Sequence, residues 1–94
     1  MKITTNDQST VCQFSLRLDT NVAYQLEPQI DNATQPGKQL IFDFSEVDYI
    51  SSTFLRICVK KWKELGQDLF WIRNPKPDIK RVFKIAGLER LIKD

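Results

Sequence analysis

The chain has 94 residues, no histidine, three glycines and two cysteines, and a formal net charge of +2. Without histidine, Ser-His-Asp and Cys-His catalytic arrangements and every zinc site that needs an imidazole are excluded. The glycines lie too far apart to form a phosphate-binding loop. We therefore expect a protein that is not an enzyme, with no catalytic residues, metal or cofactor of its own.

The length allows one domain, which we expect to occupy residues 1–94. No apolar run approaches the roughly 20 residues that span a bilayer, and residues 1–10 lack the apolar segment of a signal peptide. We therefore expect a cytoplasmic protein that does not insert into a membrane. In that reducing compartment Cys12 and Cys58 are expected to be free thiols.

The first elements predicted are two strands joined by a turn at residues 6–9. Residues 2–5 are β-prone, and residues 11–18 alternate between apolar and polar with a period of two. One face of this alternation carries the apolar residues Cys12, Phe14, Leu16 and Leu18. We expect all four to face the core of a half-buried strand.

A helix is predicted next, capped by Asp19 or Thr20. Its apolar positions are Val22, Ala23, Leu26, Ile30 and Ala33. Proline removes a helical hydrogen bond and clashes with the preceding turn, so Pro28 predicts a kink or break near Glu27. A turn follows at residues 35–38.

Residues 40–44 are almost continuously apolar, which is typical of a central parallel strand. After polar residues 45–48, a second helix is predicted to end at Gly66. Its apolar stripe is formed by Leu55, Cys58, Val59, Trp62 and Leu65. Its solvated face is predicted to carry Arg56, Lys60, Lys61, Lys63 and Glu64.

Residues 69–72 form another short apolar segment, and Pro75 and Pro77 precede a third helix that ends at Gly87. Its predicted buried stripe is Ile79, Val82, Phe83 and Ala86, and Leu88, Leu91 and Ile92 suggest a final helical turn. Alternating strands and helices predict an α/β fold with a mixed sheet and helices packed against it.

Charge is divided unevenly along the chain. Residues 1–50 carry three basic and seven acidic side chains, whereas residues 51–94 carry eleven basic and five acidic ones. The third helix contains much of the basic charge, in Lys76, Lys80, Arg81 and Lys84. The nearby aromatic residues Phe70, Trp71 and Phe83 fit packing positions, so we expect no direct nucleic-acid binding. A solvated face or an acidic protein partner explains the basic residues.

Three hydroxyl residues, Ser51, Ser52 and Thr53, stand where the third strand gives way to the second helix. Ser51 or Ser52 can accept a hydrogen bond from an amide of the first helical turn. The helix dipole would also tolerate a phosphate on Ser52, which would add about −1.5 to −2 charges near Asp19 and Asp48 if the fold brings them together. The alternative is that the hydroxyls only cap the helix.

The segment from Phe42 to Leu55 resembles the signature of STAS domains, the fold of bacterial anti-sigma factor antagonists. In that family an aliphatic-Asp-Leu-Ser strand runs into the motif Asp-Ser-Ser/Thr-Gly-Leu. Residues 18–23, 62–69 and 74–91 resemble the family's other conserved segments in the same order. The resemblance covers nearly the whole chain and implies a single STAS-like domain.

By position, Ser52 is the counterpart of the family's phosphorylated serine, and Asp19 matches an acidic residue near it. Two residues depart from the pattern, because Ser51 replaces the family's aspartate and Phe54 replaces its glycine. Serine still caps a helix. The ring of Phe54 is expected either to obstruct a kinase or to supply a new apolar contact.

The resemblance implies a non-enzymatic anti-sigma factor antagonist, either a monomer or a weak dimer. Its expected partner is an anti-sigma factor with a histidine-kinase-like ATPase domain, and phosphorylation of Ser52 would oppose binding. The expected partner-binding residues are Asp19, Ser51, Ser52, Thr53 and Phe54. The alternative is a constitutive STAS scaffold subunit of a signalling complex or a lipid-transport ATPase, without phosphorylation.

Overall fold

The computed structural model describes residues 1–93 and contains one four-stranded sheet and three α-helices. The strands are β1 (Lys2–Thr5), β2 (Ser9–Leu18), β3 (Gln39–Ile50) and β4 (Phe70–Arg73). The helices are α1 (Thr20–Ala33), α2 (Ser52–Leu65) and α3 (Pro77–Ile85), followed by a 3₁₀ turn at Glu89–Leu91. No helix in this described range is long and apolar enough to cross a membrane.

The strands lie in the sheet in the order β1-β2-β3-β4. β1 pairs antiparallel with β2, whereas β2, β3 and β4 run parallel. Beyond β4, Ile92 makes a parallel bridge to Ile72, and the Lys93 amide donates to the Ile72 carbonyl at 2.9 Å. The predicted mixed α/β sheet and the final turn are both confirmed.

Phenylalanine rings form the centre of the core between the sheet and the helices. Phe14 packs edge-on against Phe42 and Phe54, with ring centroids 4.9 and 5.1 Å apart, and Phe42 meets Phe70 at 4.9 Å. All four rings are buried. Edge-to-face contacts of this kind add about 0.5–1.5 kcal/mol per pair to the burial of apolar area.

Leu16 does not face the core, so its predicted orientation is wrong. The β2–β3 register shifts twice, between Gln13 and Ser15 and again between Leu16 and Arg17. Leu16 adopts a left-handed backbone conformation (φ 60°) and is 67% exposed. The left-handed backbone at Leu16 breaks the period-two alternation of β2 beside the two register shifts, and the sequence of β2 alone does not reveal it.

The predicted break at Pro28 does not occur, since α1 continues to Ala33. The side chains of Tyr24 and Pro28 are exposed. Because Pro28 has no N–H, the carbonyl of Tyr24 lacks its helical donor. This carbonyl lies on the solvent side of α1, where water can replace the missing bond. β3 also extends beyond the predicted residue 44, to Ile50.

Two further burial predictions are wrong. Ala86, expected in the buried stripe of α3, is exposed because α3 ends at Ile85. Lys61, expected on the solvated face of α2, is only 1% exposed. Its Nζ lies 2.7 Å from Asp31 Oδ1, so an ion pair between the buried lysine and a partly exposed aspartate joins α2 to the last turn of α1.

Both cysteines are buried and free, as predicted. Burial raises the pKa of Cys12 to about 11 and raises that of Cys58 still further. Neither side chain forms the reactive thiolate at neutral pH. Both act as small apolar residues of the core.

Candidate partner-binding and phosphorylation site

The candidate site lies at the carboxyl ends of β2 and β3, where α1 and α2 begin. Leu18 pairs with Ile50 at the end of the two strands, and the Ser51 amide donates to the Leu18 carbonyl at 2.8 Å. Because the strands are parallel neighbours, both helices start at the same edge of the sheet. The hydroxyl oxygens of Thr20 and Thr53 are 3.4 Å apart across the two helix starts.

Each helix has its own side-chain cap. Asp19 Oδ1 accepts from the Val22 amide at 2.9 Å, and Ser51 Oγ accepts from the Phe54 amide at 3.2 Å. Of the alternatives that the sequence left open, Asp19 rather than Thr20 caps α1, and Ser51 rather than Ser52 caps α2. Ser51 therefore keeps the helix start intact at the position where the family has aspartate.

Ser52 is the first residue of α2 and is exposed. Within residues 1–93 no hydrogen-bond partner of its hydroxyl is found. Thr53 and Asp19 are half-buried beside it, and Ser51 is buried. Of the three residues Ser51, Ser52 and Thr53, only Ser52 is exposed, and its hydroxyl takes no part in capping.

Phe54 is fully buried, which corrects both expectations for its ring. It packs against Phe14 and Phe44 inside the core, at 5.1 and 6.1 Å between centroids. The ring points away from solvent, so it neither obstructs the surface around Ser52 nor offers a contact to a partner. Its spacing from Ile57 and Cys58 is the signal that could have placed it in the core.

Asp48, the second acidic residue expected near Ser52, is paired with a lysine. Its Oδ1 accepts from Lys76 Nζ at 2.5 Å. Both side chains are largely exposed, so the pair contributes little to stability. The lysine nevertheless offsets part of the negative charge of Asp48.

The aromatic residues that stand near basic ones in the sequence, Phe70, Trp71 and Phe83, are buried or half-buried. Phe70 and Phe83 are buried, and Trp71 is half-buried with Lys93 Nζ 4.2 Å from its ring centroid. The placement of these rings as packing residues is confirmed. Exposed base-stacking aromatics are a usual component of single-strand recognition, and these rings do not supply them.

The far ends of α1 and α2 carry the ionic cluster that the sequence did not reveal. Lys61 meets Asp31 at 2.7 Å and Glu64 at 3.4 Å, while Lys60 meets Glu27 at 3.2 Å. The hydrogen bond from Lys61 lowers the pKa of Asp31 below its ordinary value of 3.8. An open cleft of about 580 Å³ lies beside this cluster.

Asp43 is a buried carboxylate held by protein donors. It accepts from the Ser45 amide and from Arg73 Nε, each at 2.9 Å. Burial raises the pKa of Asp43, but these two donors outweigh it and the pKa lies below the ordinary value. No group of three potential metal ligands is found in the described part of the chain.

The fold is similar to solved structures that cover nearly the whole chain. One is an unphosphorylated SpoIIAA anti-sigma factor antagonist, with 19% identity and a TM-score of 0.79 over 99% of this chain and 85% of that one. Another is a STAS domain protein from Planctomyces limnophilus, with 20% identity and a TM-score of 0.83 over 97% of this chain and 84% of that one. A third, phosphorylated SpoIIAA from Bacillus, has 20% identity and a TM-score of 0.73, covering 99% and 88%.

At these identities the solved structures establish the shared fold. A comparison with curated protein sequences gave no match. The family model of the STAS domain matches residues 1–93. The chain therefore belongs to the STAS domain family.

Proposed function

We propose that this STAS domain is a non-enzymatic cytoplasmic regulator, an anti-sigma factor antagonist switched by phosphorylation of Ser52. Its partner is an anti-sigma factor with a histidine-kinase-like ATPase domain, which it binds as a monomer or weak dimer. The observation that carries the proposal is the exposed Ser52 hydroxyl, free of any described partner and next to the Ser51 cap.

The division of roles between Ser51 and Ser52 supports a reversible switch. Because Ser51 Oγ caps α2, a phosphate on Ser52 leaves the cap at the Phe54 amide undisturbed. At the first residue of a helix, the exposed amides and the dipole favour a negative group. Phosphorylation therefore changes the surface without unfolding the helix.

The same phosphate opposes association with a partner. It adds about −1.5 to −2 charges to a surface that already carries Asp19 at the adjacent helix start. Burying those charges in an interface requires desolvation and compensating donors on the partner. We therefore expect the partner to bind the unphosphorylated chain more tightly.

Phosphorylation is tested directly. The purified chain is incubated with MgATP and, in turn, with each histidine-kinase-like anti-sigma factor of its organism, and phosphate is located by mass spectrometry. We expect one phosphate on wild type, located at Ser52, and none on Ser52→Ala. Absence of phosphate, or phosphate at another residue, contradicts the switch.

Binding is tested with a pair of charge variants. Ser52→Asp adds a negative charge at the site, and Gln67→Asp adds the same charge at an exposed position just beyond the far end of α2. By isothermal titration calorimetry, we expect Ser52→Asp to weaken partner binding at least tenfold and Gln67→Asp and Ser52→Ala to have little effect. Equal affinities for Ser52→Asp and Ser52→Ala would instead favour the constitutive scaffold.

A further inference from the structure

Two large apolar side chains are exposed close to the candidate site. The structure exposes six such residues in its described range: Met1, Ile3, Leu16, Tyr24, Tyr49 and Ile85. Leu16 and Tyr49 belong to the last part of the β2–β3 pair, where Leu16 pairs with Val47 and Arg17 pairs with Tyr49. Both strands therefore present apolar groups to solvent just before the helices begin.

Leu16 is held outward by an unfavourable backbone. Its φ of 60° lies in the left-handed region, which disfavours a leucine, and its side chain gains little burial in return because the residue is 67% exposed. Glycine would adopt this conformation without strain. Packing within this chain thus gives no reason for an exposed leucine at this position, whereas contact with another molecule would.

Arg17 adds a cationic group to the same surface. Its guanidinium lies over the ring of Tyr49, 4.3 Å from the centroid. No carboxylate among residues 1–93 forms an ion pair with it. A guanidinium that lies over an aromatic ring and forms no ion pair has N–H donors available for a carboxylate.

This patch, defined as Leu16, Arg17 and Tyr49, lies near the end of the β2–β3 pair that leads to Ser52. The Ser51 amide bonds to the Leu18 carbonyl, two residues after Leu16, at 2.8 Å. Strands rise about 3.3 Å per residue, so Leu16 and Tyr49 lie roughly 7 Å along the strands from that link. One interface of ordinary size would cover both areas.

We propose that the patch of Leu16, Arg17 and Tyr49 docks the same anti-sigma factor that Ser52 controls. This inference rests on the proposed function. The occupant is a protein surface with an apolar pocket for Leu16 and an acidic side chain for Arg17. The patch supplies affinity for the partner, and phosphorylation of Ser52 weakens that binding.

The test uses variants that separate binding from folding. Leu16→Gly removes the exposed side chain and relieves the backbone, Arg17→Gln removes the charge, and Ile85→Ala is the control for an exposed apolar residue elsewhere. Titration calorimetry is performed with the anti-sigma factor that binds wild type, and urea unfolding is measured for each variant. We expect at least tenfold weaker binding for Leu16→Gly and Arg17→Gln, with the unfolding midpoint of Leu16→Gly equal to or above that of wild type. Ile85→Ala should match wild type in binding.

Wild-type affinity in both patch variants overturns the inference and leaves the proposed function standing. A marked fall in the unfolding midpoint of Leu16→Gly would make Leu16 a structural residue and would also overturn its role. If sedimentation shows that the patch variants lose only self-association, the occupant is a second copy, contrary to the proposal. If no anti-sigma factor binds wild type, the proposed function fails and this inference fails with it.

Discussion

The two ends of the α1–α2 helix pair are joined by different chemistry. Where the helices begin, the contact between them is a pair of hydroxyls, Thr20 and Thr53, 3.4 Å apart. At the far end, the buried Lys61 reaches Asp31 at 2.7 Å. The difference shows that the ionic attachment between the helices is concentrated away from Ser52. A charge can therefore be added at Ser52 without disturbing the ion pairs that join the helices.

The largest effect is expected beneath the candidate site, where Phe54 fills the core. Phe54→Ala removes a fully buried ring that contacts Phe14 and Phe44, and we expect a loss of about 3–5 kcal/mol in the free energy of unfolding. Urea denaturation measures it, with the neighbouring Thr53→Ala as control. A loss below about 1 kcal/mol would mean that the ring is not a core residue.

The next largest effect is expected at the far end of the pair. Lys61→Ala removes a buried stem and its ion pairs, and we expect a loss of about 2–3 kcal/mol by urea denaturation. Lys60 is adjacent and also approaches Asp31, but it is exposed. Lys60→Ala should therefore behave like wild type. Equal losses in the two variants would contradict the contrast between a buried and an exposed lysine.

A smaller effect separates the two serines. Ser51→Ala deletes the cap that accepts from the Phe54 amide, and we expect a loss of about 1 kcal/mol in thermal or urea unfolding. Ser52→Ala should cost nothing measurable, because its hydroxyl has no described partner. A loss for Ser52→Ala as large as that for Ser51→Ala would show that Ser52 has a structural task that competes with modification.

The smallest effect appears in acid. In the folded chain the pKa values of Asp31 and Asp43 lie below the ordinary value of 3.8. The stability that these carboxylates contribute is complete above about pH 5 and is lost as the pH falls through 3.8 towards the folded pKa. Urea unfolding between pH 7 and 3 should show this decline, and it should be shallower in Asp43→Asn. If wild type and Asp43→Asn lose stability equally as the pH falls, Asp43 does not contribute to the acid sensitivity.

The order of elements could be predicted from the sequence because it depends on local patterns, and the same patterns narrowed each helix cap to two neighbouring residues. Apolar periodicity located the strands and helices, and Asp19 and Ser51 stand where capping residues belong. Ser52 was located by a family resemblance, and its exposure became visible only in the fold.

The wrong predictions for Leu16 and Lys61 concern residues whose surroundings include a segment distant in sequence. Leu16 turns outward where β2 is out of regular register with β3, its pairing strand, in which its partner Val47 lies 31 positions away. Lys61 has the charge of a surface residue, but its ion pair with Asp31 of the other helix offsets the cost of burying that charge. Phe54 stands at the glycine position of the family motif, but its helical spacing from Ile57 and Cys58 places it in the core.

The order of the strands has a consequence for how the sheet is made. Because each parallel strand lies beside its predecessor in sequence, a nascent chain can extend the sheet at one edge as synthesis proceeds. The growing edge stays unpaired until the next strand emerges, and within residues 1–93 the β4 edge is paired by Ile92 and Lys93. Cleavage before these residues would leave a free edge able to pair with another chain and would create a site of aggregation.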